Sequence, residues 1–321
     1  MATPELARQP TTLAVAPRRR AARRGLLAEI ARHWSDYLYV GPALLLMALV
    51  IVYPFVYTVY LSFFNTPTYT PEIIFNGLDN YQEILTDDRF WLVVKNTLVW
   101  TVGSTVGAFL LGFLAAVLVN RSMPFRSLIR SALMTPYVIG IVVAAFAWKW
   151  LYHADFGVIS GALIQFGLIS RPILFIDSEA LVMPSLIVAN IWKGFPFVMI
   201  MLLAGMQAIP QQLYNAARVD GAGRMRRFFE ITVPELTPVI AVTTVLLFIG
   251  NVNSFTLVWI LTGGGPAYLS QILVTHIYTL SFMSLRFGMA SAVSVLLFIV
   301  LMVATVIYVR VLTRSGQAAR V

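Results

Sequence analysis

The chain has 321 residues, 59% of them hydrophobic and only 12% charged, with a formal net charge of +9. A water-soluble domain of this length would carry about twice that charged fraction, so the composition excludes a soluble fold. The absence of cysteine excludes disulfides and thiolate chemistry.

Residues 1–36 form a basic arm carrying Arg8, Arg18, Arg19, Arg20, Arg23, Arg24 and Arg32. Residues 1–25, rich in Ala, Arg, Pro and Thr, read as disordered. "RGLLAEIARHW" reads as a short helix lying at a membrane surface. The apolar run after Asp36 exceeds the roughly 7–15 residues of a signal-peptide core. It also lacks a small-x-small cleavage site, so it reads as a retained first span.

A membrane span needs roughly 20 mostly apolar residues. Segments 38–63, 92–119, 127–152, 183–207, 237–261 and 287–312 qualify. Backbone groups in lipid must be satisfied within a helix or a closed barrel. The runs show no period-2 alternation, which argues against a barrel. The expected fold class is therefore all-α integral membrane, with six transmembrane helices over residues 37–313 and a tail at 314–321.

Between the first two spans, Asn80 and Tyr81 start a short helix, and Phe90 and Trp91 follow Asp87 and Asp88 as an aromatic belt. The next connection holds Arg121, Arg126 and Arg130. The following loop, about 153–182, is acidic, with Asp155, Asp177 and Glu179. The loop at about 208–236 adds Arg218, Arg224, Arg226 and Arg227, and the tail adds Arg310, Arg314 and Arg320. The opposite face holds only Arg89, Arg171 and Arg286. The positive-inside rule puts both termini and the 208–236 loop in the cytoplasm. The basic excess is thus a topology signal, and nucleic acid is not an expected partner.

No phosphate-cradling G-x-x-x-x-G-K-[ST] occurs. Gly263, Gly264 and Gly265 precede Pro266 and read as a tight turn with positive φ. His33, His153 and His276 lie far apart, so no metal-ligand spacing or nucleophile–base pair is visible. The residues give no support to an enzyme and no expected metal.

The most polar run of the second half is "NAARVDGAGRMRRFFEITVPELTP", Asn215–Pro238. "QQLYNAARVD" reads as a helix that Gly221 caps. Gly223 is a second joint, and "RMRRFFEIT" reads as a second helix ended near Pro234. Two readings stay open on physics alone. The hairpin lies on the membrane with its arginines at lipid phosphates, or Ala216 and Ala217 let another surface approach closely.

This stretch resembles the cytoplasmic signature of binding-protein-dependent ABC importer permeases: E-A-A, three residues, G, about nine residues, then I-x-L-P. The chain reads Asn215-Ala216-Ala217, then Gly221, then Ile231-Thr232-Val233-Pro234. "DGA" at Asp220–Ala222 is typical of the carbohydrate branch. "NIWKGFPF", "LTGGGP" and "FGMASAVS" resemble the maltose-transporter-like first permease. Asn215 in place of the usual glutamate removes an ion pair, and Val233 replaces leucine conservatively.

The resemblance implies a type I importer permease fold in a prokaryotic plasma (inner) membrane. It implies that Asn215, Ala216, Ala217, Asp220, Gly221 and Pro234 couple to a separate ATPase. It places sugar contacts at Asn190, Lys193, Gly194, Phe197, Gly250, Asn251 and Ser254. Implied partners are a second permease, two copies of a cytoplasmic ABC ATPase, an extracytoplasmic sugar-binding protein and membrane lipid. No cofactor is implied in this chain, since ATP and Mg belong to the ATPase subunit. A disaccharide or oligosaccharide is the expected solute, with glycerol phosphate or another polyol-type solute as the alternative. A membrane scaffold or sensor with an interaction hairpin is the alternative class.

Asparagines offer the donors and acceptors that sugar hydroxyls require. The same polar groups also hold helices together in lipid. Asn251 and Asn253 are about 200° apart on a helix, so they do not face one cavity. Lys193 stays open between an anionic solute, a neutral sugar and a partner subunit.

Overall fold

The computed structural model describes residues 34–66, 73–121 and 123–318. The arm expected to be disordered, most of the stretch expected to form a surface helix, and the last three residues of the tail lie outside the described residues. The contacts divide the chain into two units, ending at Val56 and beginning at Tyr57.

The described part of the first unit is helical. Helix α1 (Trp34–Met47) runs into a π-helical turn, Ala48–Val52, and then α2 (Tyr53–Leu61), whose residues from Tyr57 belong to the second unit. The first unit's large apolar side chains, such as Leu45, Val50 and Ile51, are exposed on the helix surface, as suits a face that meets lipid or another membrane protein. Tyr53 N donates to Ala48 O, five residues back. This wider turn lies one residue before Pro54, whose ring nitrogen cannot donate.

In the second unit, β1 (Phe64–Asn65) pairs antiparallel with β2 (Ile74–Phe75), two residues each. This pair is the one departure from an all-helical chain among the described residues. Helix α3 (Asp79–Thr86) follows, fixed by Asn80, whose Nδ2 donates to Ser62 O (2.9 Å) and Phe64 O (3.0 Å). Then come α4 (Asp88–Asn120), α5 (Arg126–Val138), α6 (Ile141–Leu151), α7 (Val158–Gln165) and α8 (Val182–Ala208). Asp87 caps α4, accepting from Arg89 N at 2.9 Å. The chain continues through α9 (Gln211–Val219), α10 (Arg224–Arg227), a π turn (Phe228–Thr232) and α11 (Val233–Val252). It ends with α12 (Thr256–Thr262), α13 (Leu273–Tyr278), a third π turn (Thr279–Met283) and α14 (Phe287–Ala318).

Among the described residues five helices are long and apolar enough to cross a membrane: Tyr39–Leu61, Asp88–Asn120, Val182–Ala208, Arg224–Val252 and Phe287–Tyr308. The expected third span is a broken one, with α5 and α6 meeting at 93°; counting that pair as one span gives six. The expected fifth span also differs. It begins at Arg224 and ends at Val252, with α12 a separate short helix. Pro234 and Pro238 do not end a helix here. The π turn re-pairs the backbone just before Pro234, with Val233 N donating to Phe228 O. A membrane helix tolerates proline where such adjustments absorb the lost bond.

The core is built on α4 against α8. Ala108, Ala115 and Ala116 of α4 meet Val198, Met199 and Leu202 of α8, with Leu236 and Leu247 of α11 alongside. Lipid tails are as apolar as leucine, so close approach rather than water exclusion drives this contact. A Cβ on Gly112 would lie 2.6 Å from both Phe195 O and Val198 Cβ, so the backbones meet at that point. Gly103 and Gly107, one turn apart, face Ile187 and Ile191.

Candidate translocation and coupling sites

A polar chain crosses three spans at one level. Asn190 of α8 donates from Nδ2 to Asn251 Oδ1 of α11 at 2.8 Å. Asn251 Nδ2 donates in turn to Thr105 Oγ1 of α4 at 2.9 Å. Trp100, fully buried, donates from Nε1 to the backbone carbonyl of Asn251 at 2.9 Å. Asn251 thus has both ends of its amide engaged by neighbouring spans. Two residues on, Asn253 is exposed and bonds its own helix, Nδ2 to Ile249 O at 2.9 Å. The two asparagines diverge as the helical geometry requires.

Lys193 lies less than a turn beyond Asn190 on α8. Its ammonium donates to Pro136 O (2.9 Å), Tyr137 O (3.0 Å) and Ile139 O (2.7 Å). Those carbonyls are the ones that the end of α5 leaves without helical partners. An ammonium has three N–H groups, so Lys193 is fully engaged at the bend between α5 and α6. The cation also suits the negative end of the α5 dipole.

The other sequence-derived contacts spread around this level. Gly194 packs loosely, since a Cβ there would lie 3.5 Å from Ala108 Cβ and 3.6 Å from Leu247 Cδ1. Phe197 stacks on Tyr137, with ring centroids 6.4 Å apart. Gly250 is exposed, and a Cβ added there would meet no atom within 4 Å. Ser254 is half-buried beside an aromatic row: Phe255 and Trp259 (5.5 Å), then Tyr278 (4.7 Å from Trp259) and Phe282 (5.0 Å from Tyr278). The structure therefore brings Asn190 and Asn251 together, commits Lys193 to a backbone role in this conformation, and leaves Gly250 and Ser254 accessible.

The stretch expected to couple to an ATPase opens with a short exposed helix, α9, that has a defined stop. Gly221 has φ +75°. Its N–H donates to Arg218 O (3.1 Å), and Ala222 N donates to Ala217 O (2.8 Å). These two bonds make a Schellman cap, as the placement of Gly221 predicts. Tyr214 and Thr232 share a hydroxyl hydrogen bond of 2.9 Å that ties α9 to the π turn. Asn215, Ala216, Asp220 and Pro234 are exposed and Ala217 is half-buried. Val219 is 88% exposed, and Leu213, Met225 and Phe229 are exposed too, an apolar surface on a polar loop.

Residues 108–315 match the family model described as binding-protein-dependent transport system inner membrane component. The chain belongs to this family. It is 35% identical over 280 residues to the sulfoquinovosyl glycerol transport system permease protein SmoG of Agrobacterium fabrum, covering 86% of this chain and 89% of that one. It is 31% identical over 278 residues to the trehalose/maltose transport system permease protein MalF of Thermococcus litoralis, covering 86% and 92%. A crystal structure of a bacterial ABC transporter that imports the acidic polysaccharide alginate contains a chain with TM-score 0.78 and 25% identity, covering 91% of this chain and 99% of that one. A second structure, of a bacterial alginate transporter with its pentasaccharide-bound periplasmic protein, gives TM-score 0.79 at 24% identity, 91% and 99% covered. The permease is thus a multi-pass membrane component with the type I importer fold, and its part in the system is transport rather than catalysis.

Sequence reasoning did not find Thr105 and Trp100 as partners of Asn251, nor the acceptors of Lys193. A signal for the first existed. Span two carries Gly103 and Gly107 four apart, with Thr101, Ser104 and Thr105 buried among them, and such stripes mark helix–helix faces in membranes. Asn251→Leu is expected to destabilise the permease by about 1–3 kcal/mol, because it removes two side-chain bonds and strands a buried donor on Asn190. The melting temperature of the purified protein checks this. An unchanged value would show that the three side chains do not hold the spans.

Proposed function

We propose that the chain is one permease subunit of an ATP-driven, binding-protein-dependent importer for a sugar, most simply a disaccharide or oligosaccharide. The observation that carries this reading is similarity over 86% of the chain to permeases named for glycosyl solutes. It would form half of the pore with a second permease. Two copies of an ABC ATPase would bind ATP and Mg, an extracytoplasmic binding protein would deliver the solute, and both termini would face the cytoplasm. The sugar would meet groups near Asn190, Lys193, Gly194, Phe197, Gly250, Asn251 and Ser254 as the spans rearrange. Helix α9, with Asn215, Ala216, Ala217, Asp220 and Gly221, and Pro234 beyond it, would pass ATPase closure to the spans. Its exposed apolar Val219 supports a docked role.

The deciding measurement is ATPase activity of the complex, reconstituted with the proteins encoded beside it and tested against sugars and sugar phosphates. Stimulation by one sugar through the binding protein is expected, and failure of any ATPase subunit to copurify would sink the reading. Within that assay, Gly221→Val is expected to lower solute-stimulated ATPase about tenfold. A β-branched residue at positive φ costs about 1–2 kcal/mol, and 1.4 kcal/mol is a factor of about ten. Gly221→Asn, which tolerates that backbone, should stay near the parent. Equal loss in both variants would show that the cap conformation is not what matters.

A further inference from the structure

At the end of the bundle that carries α9, a cavity of about 960 Å3 opens between the α4–α5 connection and the coupling loop. Arg121 lines it from the connection, Arg126 and Arg130 from the first turns of α5, and Arg218, Arg224 and Arg227 from the loop. No carboxylate lines it among the described residues. Glu230, three residues from Arg227, is already taken, with both oxygens 2.9 Å from Arg226 Nε. Arg126 Nε donates to Val119 O at 2.8 Å. Nε and Nη2 of Arg130 and Nε of Arg227 are buried and have no acceptor among the described residues.

Like charges gathered in one cavity repel, and buried guanidinium N–H groups without acceptors are unfavourable. An anion in the cavity would offset the gathered charge, and a rotation of the Arg130 and Arg227 side chains toward it would give their buried N–H groups an acceptor. Two helices also begin at this cavity, α5 at Arg126 and α9 at Gln211, and their N-terminal ends add positive potential. Phosphate oxygens match the planar fork of arginine, which binds them in bidentate fashion. The volume suits a small molecule rather than a bare ion. Val117, Met206, Ile209 and Phe228 add apolar wall beside the charges, which fits a phosphate carried on a larger body.

We propose that this cavity binds a phosphate ester group and so braces the coupling loop against the α4–α5 connection. The group is either the headgroup of an anionic lipid or a soluble phosphate, and the chemistry of recognition is the same. The proposal goes beyond the importer reading and does not depend on which solute is carried.

The test uses the full chain with its copurifying partners in phosphatidylcholine nanodiscs. One arm replaces part of the lipid with phosphatidylglycerol, and the other adds inorganic pyrophosphate. A rise in melting temperature is expected in one arm. In the Arg130→Gln/Arg227→Gln double variant, the probe level giving half that rise should increase about ten- to hundredfold. Arg224→Gln, at an exposed position of the same cavity, is the second variant and should show a smaller shift in the same direction. A rise with phosphatidylglycerol alone assigns the site to lipid, and a rise with pyrophosphate assigns it to a soluble phosphate. No rise in either arm, or the same rise in parent and variants, overturns the proposal. Loss of the ATPase subunit from the double variant, with neither probe acting, would instead make the cavity a protein contact.

Discussion

Gly112→Ala is expected to cost about 1–3 kcal/mol or more of stability, the most of the three glycines at the contacts of α4 and α8 compared below. The added Cβ would lie 2.6 Å from Phe195 O, a backbone atom, and 2.6 Å from Val198 Cβ. Neither can move unless α4 and α8 separate. Gly107→Ala gives a useful contrast. There the clash is with Ile191 Cδ1, the far end of a side chain that can change rotamer. Gly194→Ala meets only ordinary contacts, at 3.5 and 3.6 Å. The expected order of folded yield and melting temperature is therefore Gly194→Ala highest, then Gly107→Ala, then Gly112→Ala. If Gly112→Ala melts with the parent, the close approach of α4 and α8 is not what holds them.

The second large effect is at Lys193. Its three bonds to the carbonyls of Pro136, Tyr137 and Ile139 hold the break between α5 and α6. Each bond to a charged group contributes about 1.5–3 kcal/mol at full burial. Lys193 is only partly buried, so solvent screening reduces the set to about 2–3 kcal/mol. Removing it with Lys193→Met should shift the balance between bent and unbent states about 30- to 150-fold. Transport is expected to fall at least about tenfold, with Lys193→Arg restoring part of it through its own donors. The chain lacks cysteine, so a single cysteine placed at Gly140 reports the bend directly by its labelling rate. Faster labelling in Lys193→Met is expected. An altered solute affinity with an unchanged labelling rate would move Lys193 from the bend to the solute path.

Most of the spans are legible from apolar run length because lipid leaves the backbone so few choices. The stop of α9 is legible too, since a glycine at positive φ with two backward bonds is a local device. What the sequence hid is non-local or hostage to a rule from soluble proteins. Hydropathy averaged over a window cannot register a 93° break. The group that stabilises the break, Lys193, lies more than fifty residues away from its acceptors. Pro234 and Pro238 look like helix ends by the soluble rule, yet a wide turn and the surrounding spans carry the helix through them. The Asn190–Asn251–Thr105 chain joins three spans far apart in sequence, so composition could flag its members without pairing them.

That asparagine chain makes a fulcrum. Asn190 sits about 27 Å along α8 from its last residue, Ala208, at 1.5 Å per residue. With α4, α8 and α11 tied at one level, a sideways push delivered through α9, if it docks an ATPase as proposed, would tilt them about that level instead of sliding them past each other. The arm on the loop side and the arm beyond the asparagines would then swing in opposite directions, so that narrowing one end of the bundle would widen the other.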